Sequence, residues 1–211
     1  MPRRTIPFVP GVYYHIYNRG NNRQKIFFQS DNYRYFLYNM KKYLAPVASI
    51  TAYCLMPTHY HILARVQTSE VLDDQNRIGM KLEKTSEVSL SRAMMRLSVS
   101  YTKAINKRFS RVGSLFQGQF QARPIRNDAH LLNLCAYIHA NPVKDGLVAL
   151  PEDWIYSNYL EWLGRRTGPL VDADFIREHF GSPAEYQGLV LHFVTARYVP
   201  EDMRSYLEMF E

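Results

Sequence analysis

Met56-Pro57-Thr58-His59-Tyr60-His61-Ile62-Leu63 lies between two runs that favour extended backbone. Ser49-Ile50-Thr51-Ala52-Tyr53-Cys54-Leu55 precedes it, rich in β-branched and aromatic residues, and Ala64-Arg65-Val66 continues beyond it. Both flanks predict strands, with Pro57-Thr58 as their connection. Side chains two apart in a strand point to the same side, so His59 and His61 stand together on one face. Two imidazoles so placed can share a divalent metal, although a surface pair or a satisfied core pair reads the same way.

Outward from this hairpin, Val12 to Tyr17 predicts a first strand, closed by the turn cluster Asn18-Arg19-Gly20-Asn21-Asn22. Asp31 is the expected cap of a helix to about Leu44, with Tyr33, Phe36, Leu37, Met40 and Leu44 as its buried stripe. Residues 70–87 are polar and give no firm pattern. Residues 89–109 predict the clearest helix. Leu90, Met94, Leu97, Tyr101 and Ile105 share one face, and Arg92, Arg96, Lys103 and Lys107 fall on the other. Residues 113–121 predict a glycine-punctuated loop leading into a strand that ends near Ile125. Asn127 or Asp128 then caps a helix to about Ala140. Leu131, Leu134, Cys135 and Ile138 are apolar there, and His130, Asn133, Tyr137 and Asn141 line another face. Pro142 is expected to stop this helix at Asn141. The order of strands and helices predicts an α+β fold, a mostly antiparallel sheet with helices packed on it. Gly164-Arg165-Arg166-Thr167-Gly168-Pro169 suggests a linker. Residues 1–163 then form the main domain, and 164–211 a small helical C-terminal extension with short helices at 172–179, 183–198 and 200–210.

At 211 residues the chain can bury one good core. It contains no apolar run long enough for a bilayer and no signal-peptide pattern. Its two cysteines, Cys54 and Cys135, lie in apolar segments and read as buried thiols, which suits a reducing cytoplasm. Charge is unevenly spread. Residues 1–127 hold 20 of the 26 Lys and Arg but 6 of the 19 acids, a net +14, and residues 128–211 carry −7. No acid occurs between Val88 and Asn127. A basic lobe of this kind points to a polyanion, most often nucleic acid.

The motifs together resemble those of the single-tyrosine HUH transposases, most closely the REP-associated tyrosine transposases. The resemblance rests on Tyr14-His15-Ile16-Tyr17-Asn18-Arg19-Gly20 and on the His59 stretch. It continues through 113–120, Tyr137-Ile138-His139-Ala140-Asn141-Pro142-Val143 and Gly146-Leu147-Val148, and covers roughly residues 1–160. One departure is Tyr60, where a smaller apolar residue is usual between the histidines. The resemblance implies a ferredoxin-like HUH fold with Tyr137 as nucleophile. It implies His59, His61 and Asn141 as ligands of Mg²⁺ or Mn²⁺, and a single-stranded or hairpin DNA substrate. Tyr137 and Asn141 are spaced i and i+4, so they share a helix face. Candidate DNA contacts are Arg3, Arg4, Arg19, Arg92, Arg96, Lys103, Lys107, Arg123 and Arg126. The implied reaction is cleavage and rejoining through a 5′-phosphotyrosine at REP-like hairpins, that is, DNA transposition. Other readings are a hairpin-binding regulator without catalysis and a replication-initiator or relaxase-type nickase. A metal hydrolase with carboxylate ligands fits poorly, because Asp31 is the only acid before Glu70. No membrane partner is expected, and both a monomer and a homodimer stay open.

Overall fold

A computed structural model describes residues 8–67, 86–125 and 127–195 of the chain. Strands β1 (Tyr13–Arg19), β2 (Ala48–Leu55), β3 (His59–Val66) and β4 (Gln121–Ile125) form one sheet in the order β2-β3-β1-β4. Every neighbouring pair is antiparallel. Helix α1 (Ser30–Asn39) joins β1 to β2, α2 (Ser86–Arg108) joins β3 to β4, and α3 (Asp128–Lys144) follows β4. This is the ferredoxin-like order, and among the described residues it is followed by the α-helices α4 (Tyr159–Trp162), α5 (Ala173–His179) and α6 (Pro183–Thr195). The α+β expectation holds.

Alternation along the strands sorts the side chains onto two faces. Tyr14, Ile16, Tyr60, Ile62 and Ala64 lie buried with Phe36, Met40, Met94, Leu97 and Tyr101 under α1 and α2. Leu63 and Ile125 point the other way, to a second core with Leu131, Leu134, Cys135 and Ile138 of α3. A β-bulge lies between Ile50 and Ala52, so Ile50 joins the first core and Ala52 the second. Thr51 at the bulge offers its carbonyl to Asn158 Nδ2 at 2.9 Å and to Trp162 Nε1 at 3.0 Å. That ties the segment after α3 to the outer edge of β2. Both cysteines are free and buried.

The hairpin is as tight as expected. Met56 and His59 exchange backbone hydrogen bonds of 2.8 and 3.3 Å around Pro57-Thr58. Gly20 donates to Thr58 O at 2.8 Å, and Ile26 donates to Pro57 O at 2.8 Å. A Cβ on Gly20 would lie 2.0 Å from the carbonyl oxygen of Gln24, so this position has no room for a side chain.

Several boundaries differ from expectation. β1 runs on to Arg19, because its pairing with β3 continues through Asn18–Tyr60 to Arg19–His59. Helix α1 is capped by Gln29 rather than Asp31, through reciprocal side-chain bonds between Gln29 and Asn32. After Asn39 the helix continues as a π-helical turn, Met40–Leu44. Pro142 does not stop α3. A proline forfeits one N–H within the final turn, but the helix closes only at Gly146, whose φ is +68°. Gly146 N donates to Val143 O at 3.0 Å and Leu147 N to Pro142 O at 2.9 Å, the paired closure a left-handed glycine allows. Asn141 is therefore inside the last turn and buried.

Helices α5 and α6 pack into the second core: Phe175, Tyr186, Val190 and Phe193 are buried beside Trp162 and α3. Asp172 caps α5 by accepting from Phe175 N at 3.1 Å. The helix expected at 200–210 and the polar segment at 70–85 lie outside the described residues. Among the described residues no helix is long and apolar enough to cross a membrane.

Candidate functional site

β3 begins with the two histidines, and its register sets His59 opposite Arg19 and His61 opposite Tyr17 on β1. The two imidazole centroids are 5.1 Å apart with planes at 81°. Sheet pairing brings a third histidine to them. His15 stands on β1, fully buried, with Nε2 2.8 Å from His61 Nδ1 and the rings stacked at 5.0 Å. His59 is less deeply placed, and its Nδ1 lies 2.9 Å from Thr58 Oγ1.

Helix α3 crosses this face and brings Tyr137 to it. The Tyr137 ring is 6.4 Å from that of His61, edge to face at 76°. Lys144, at the end of the same helix, holds Nζ 5.3 Å from the Tyr137 ring centroid. Asn141 lies one turn beyond Tyr137, 4% exposed, and its Nδ2 has no hydrogen-bond partner. An amide can be turned over, which would put Oδ1 in that orphaned position as an oxygen donor for a cation. An unpaired buried polar group costs about 1–3 kcal/mol, so the position suits a ligand that would satisfy it.

Burial sets the protonation of the cluster. It pushes His15 down to about 3, with His130 and Arg123 acting in the same direction. His61 falls well below the usual range, through burial first and then through His15 and His59. His59 is lowered by burial, against a partial counter-effect of Asp145. Neutral imidazoles are the form that binds metal. With Nδ1 of His61 engaged by His15, a metal would bind through Nε2. Among the described residues no group of three or more His, Cys, Asp or Glu could hold a metal ion. A third donor would have to be of another kind, and the side-chain amide of Asn141, one turn along α3 from Tyr137, has that chemistry.

The basic residues separate into two groups. Arg19 and Arg123 share the histidine face: Arg19 donates to Gln117 Oε1, and Arg123 Nε lies 3.5 Å from Tyr17 OH. The loop before β4 lies against the same end of the sheet, where Asn18 Nδ2 donates to Gly118 O at 3.1 Å. Helix α2, with Arg92, Arg96, Lys103 and Lys107, packs its apolar side on the opposite face of the sheet. Arg96, Lys103 and Lys107 are exposed there. Arg3, Arg4 and Arg126 lie outside the described residues. Tyr101 is core, as its spacing implied, and its hydroxyl donates to Ile26 O at 2.7 Å.

His15 and Lys144 carry no distinctive spacing of their own. His15 stands in the Tyr14–Gly20 motif, but only the β1–β3 register reveals what it touches. A second buried histidine, His139, braces α3 from behind. It meets Tyr186 OH through Nδ1 and Asn158 Oδ1 through Nε2, the latter at 2.9 Å.

No family model matches the chain. Over 108 residues it is 32% identical to a Haemophilus influenzae protein provisionally named REP-associated tyrosine transposase. That stretch is 51% of this chain and 57% of the relative, so the chain spans little more than half the relative's length. A solved structure described as a REP-associated tyrosine transposase bound to a REP hairpin superposes with a TM-score of 0.58. It covers 82% of this chain and 94% of that one at 18% identity, a likeness of fold.

Proposed function

We propose that this chain, a relative of the REP-associated tyrosine transposases, cuts and rejoins single-stranded DNA beside a hairpin, with Tyr137 as nucleophile. The observation that carries the reading is the approach of Tyr137 to the histidine pair on one sheet face: its ring centroid is 6.4 Å from that of His61, which is itself 5.1 Å from that of His59. A transposase role in the cell rests on the relative's name and on the motif order. His59, His61 and Asn141 would hold Mg²⁺ or Mn²⁺, which when bound withdraws charge from a scissile phosphate.

The phenol of Tyr137 gives up its proton as its oxygen attacks phosphorus, the bond from phosphorus to the 3′ oxygen breaks, and that oxygen takes up a proton and leaves as a 3′-hydroxyl. The 5′ phosphate stays on the tyrosine. One phosphodiester replaces another, so a 3′-hydroxyl can reverse the step without an energy source. An ordinary phenol, with a pKa near ~10, is a weak nucleophile at neutral pH. The Lys144 ammonium over the ring favours the negative charge that the attacking oxygen gathers. Arg19 and Arg123, on the same face, supply positive charge for the flanking phosphates.

The test is a denaturing gel with single-stranded hairpin DNA labelled at either end, incubated with Mn²⁺. Wild type should acquire the 3′ fragment covalently, through its 5′ phosphate, and Tyr137→Phe should bind the hairpin normally yet acquire nothing. An adduct that survives Tyr137→Phe, or one carrying the other fragment, would sink the assignment.

A further inference from the structure

His15 takes no part in the chemistry proposed for Tyr137, although it is fully buried and stands against a ring nitrogen of His61. A chemical choice is hidden in the 2.8 Å approach of His15 Nε2 to His61 Nδ1. One ring must donate and the other accept. If His15 donates, His61 accepts at Nδ1, and its own proton sits on Nε2, the atom a metal would need. If His61 donates from Nδ1, its Nε2 carries a lone pair.

We propose that His15 is a positioning residue for the metal site: it accepts the Nδ1–H of His61 and so holds His61 in the tautomer whose Nε2 can bind a divalent cation. The inference rests on the metal reading of His59 and His61. Geometry supports it in three ways. His15 and Leu63 are direct partners in the β1–β3 register, so His15 lies diagonally across the sheet from His61, fixed by backbone pairing. The stacked rings, 5.0 Å apart at 24°, leave little freedom for His61 to rotate. Tyr17 on one side, 5.1 Å from His15, and the second core below close the space around the pair.

The experiment has two readouts on the full chain. Long-range ¹H–¹⁵N spectra of metal-free protein report the tautomer of His61, and calorimetry or electron paramagnetic resonance reports Mn²⁺ affinity without DNA. The wild type should show His61 protonated at Nδ1. His15→Phe should lose that signature and weaken Mn²⁺ binding by about 10–100-fold, the scale set by loss of a partner behind a metal-ligating histidine. His15→Gln places an amide oxygen near the Nε2 position and should restore most of both, which a merely space-filling role would not require. A wild-type His61 protonated at Nε2, or a His15→Phe protein that binds Mn²⁺ as wild type does, overturns the proposal and leaves the metal reading standing. A wild type that takes up no Mn²⁺ overturns the metal reading and this proposal with it. The wild-type spectrum decides the tautomer even if His15→Phe fails to fold.

Discussion

Tyr60 and His61 are adjacent in the chain and point to opposite faces of one strand. Tyr60 is buried among Phe36 at 5.0 Å and Phe116 at 6.1 Å, under α1 and α2. Burial raises its pKa above the usual range for a phenol, with Ser98 beside the hydroxyl acting the other way. His61 is buried almost as deeply, but its neighbours are His15, His59 and Tyr137. Both faces exclude water. They differ in what the excluded volume contains: rings that only need packing, or rings whose nitrogens and hydroxyl are able to donate, accept or ligate. Depth alone does not mark a site; a buried group whose neighbours can all donate, accept or ligate does.

Substitutions on the two faces should therefore fail in different ways. The largest effect expected is from His59→Ala with His61→Ala: cleavage and adduct should drop below detection while hairpin affinity and the urea midpoint stay near wild type. Cleavage at the wild-type rate would remove the metal from the reading. Next comes the opposite face. Phe36→Ala should cost about 3–5 kcal/mol in urea denaturation, as for any fully buried aromatic, with adduct formation per folded molecule unchanged. A catalytic defect in the folded fraction of Phe36→Ala would mean that the faces are coupled.

Acid should act through the histidine side. His139 is fully buried, and burial takes it from the ordinary 6.5 to about 4. The unfolded chain then binds more protons than the folded one between those values. Stability from this group is complete above pH 6.5 and is lost as pH falls toward 4, by about 3 kcal/mol for one such group. Thermal melts between pH 7 and 4 should show the fall, and His139→Gln should make it shallower by this group's share, leaving the part that His15 and His61 contribute. An equal slope in that variant would put the acid sensitivity elsewhere.

The smallest effect separates the two basic groups. Replacing Arg96 and Lys103 with Gln should lower the salt dependence of hairpin binding by about 0.7–0.9 for each phosphate that is no longer neutralised, with the cleavage rate of bound DNA unchanged. Arg19→Gln with Arg123→Gln should reduce that rate as well. If the α2 pair has no effect on salt dependence, its stripe is solvent surface and the DNA stays on the histidine side.

Periodicity made much of this visible in advance. The alternation around His59 and His61 and the stripe from Leu90 to Ile105 placed β3 and α2 correctly, because each pattern is written within one element. The limits of α3 were not visible in the same way. Pro142 looks like a stop, but the ending is set by Gly146 and by two carbonyls that accept across it. The part of His15 was hidden for a different reason. Its partner is 46 positions away, and strand register is a property of the sheet rather than of either segment. The side of the sheet on which α2 would lie, and hence its separation from the histidines, had no local signal either.

The last described helix has a bearing on how the chain can be shortened. Tyr186 reaches in from α6 to the imidazole of His139, which passes to Asn158 and on to the Thr51 carbonyl at the bulge of β2. A protein ended at Leu163 would expose Leu131, Leu134 and Trp162 and deprive His139 of a hydroxyl, two residues from Tyr137. Modularity read from composition thus stops at the surface. For expression, tagging or protease trimming, residues up to Thr195 travel with α3 as one unit.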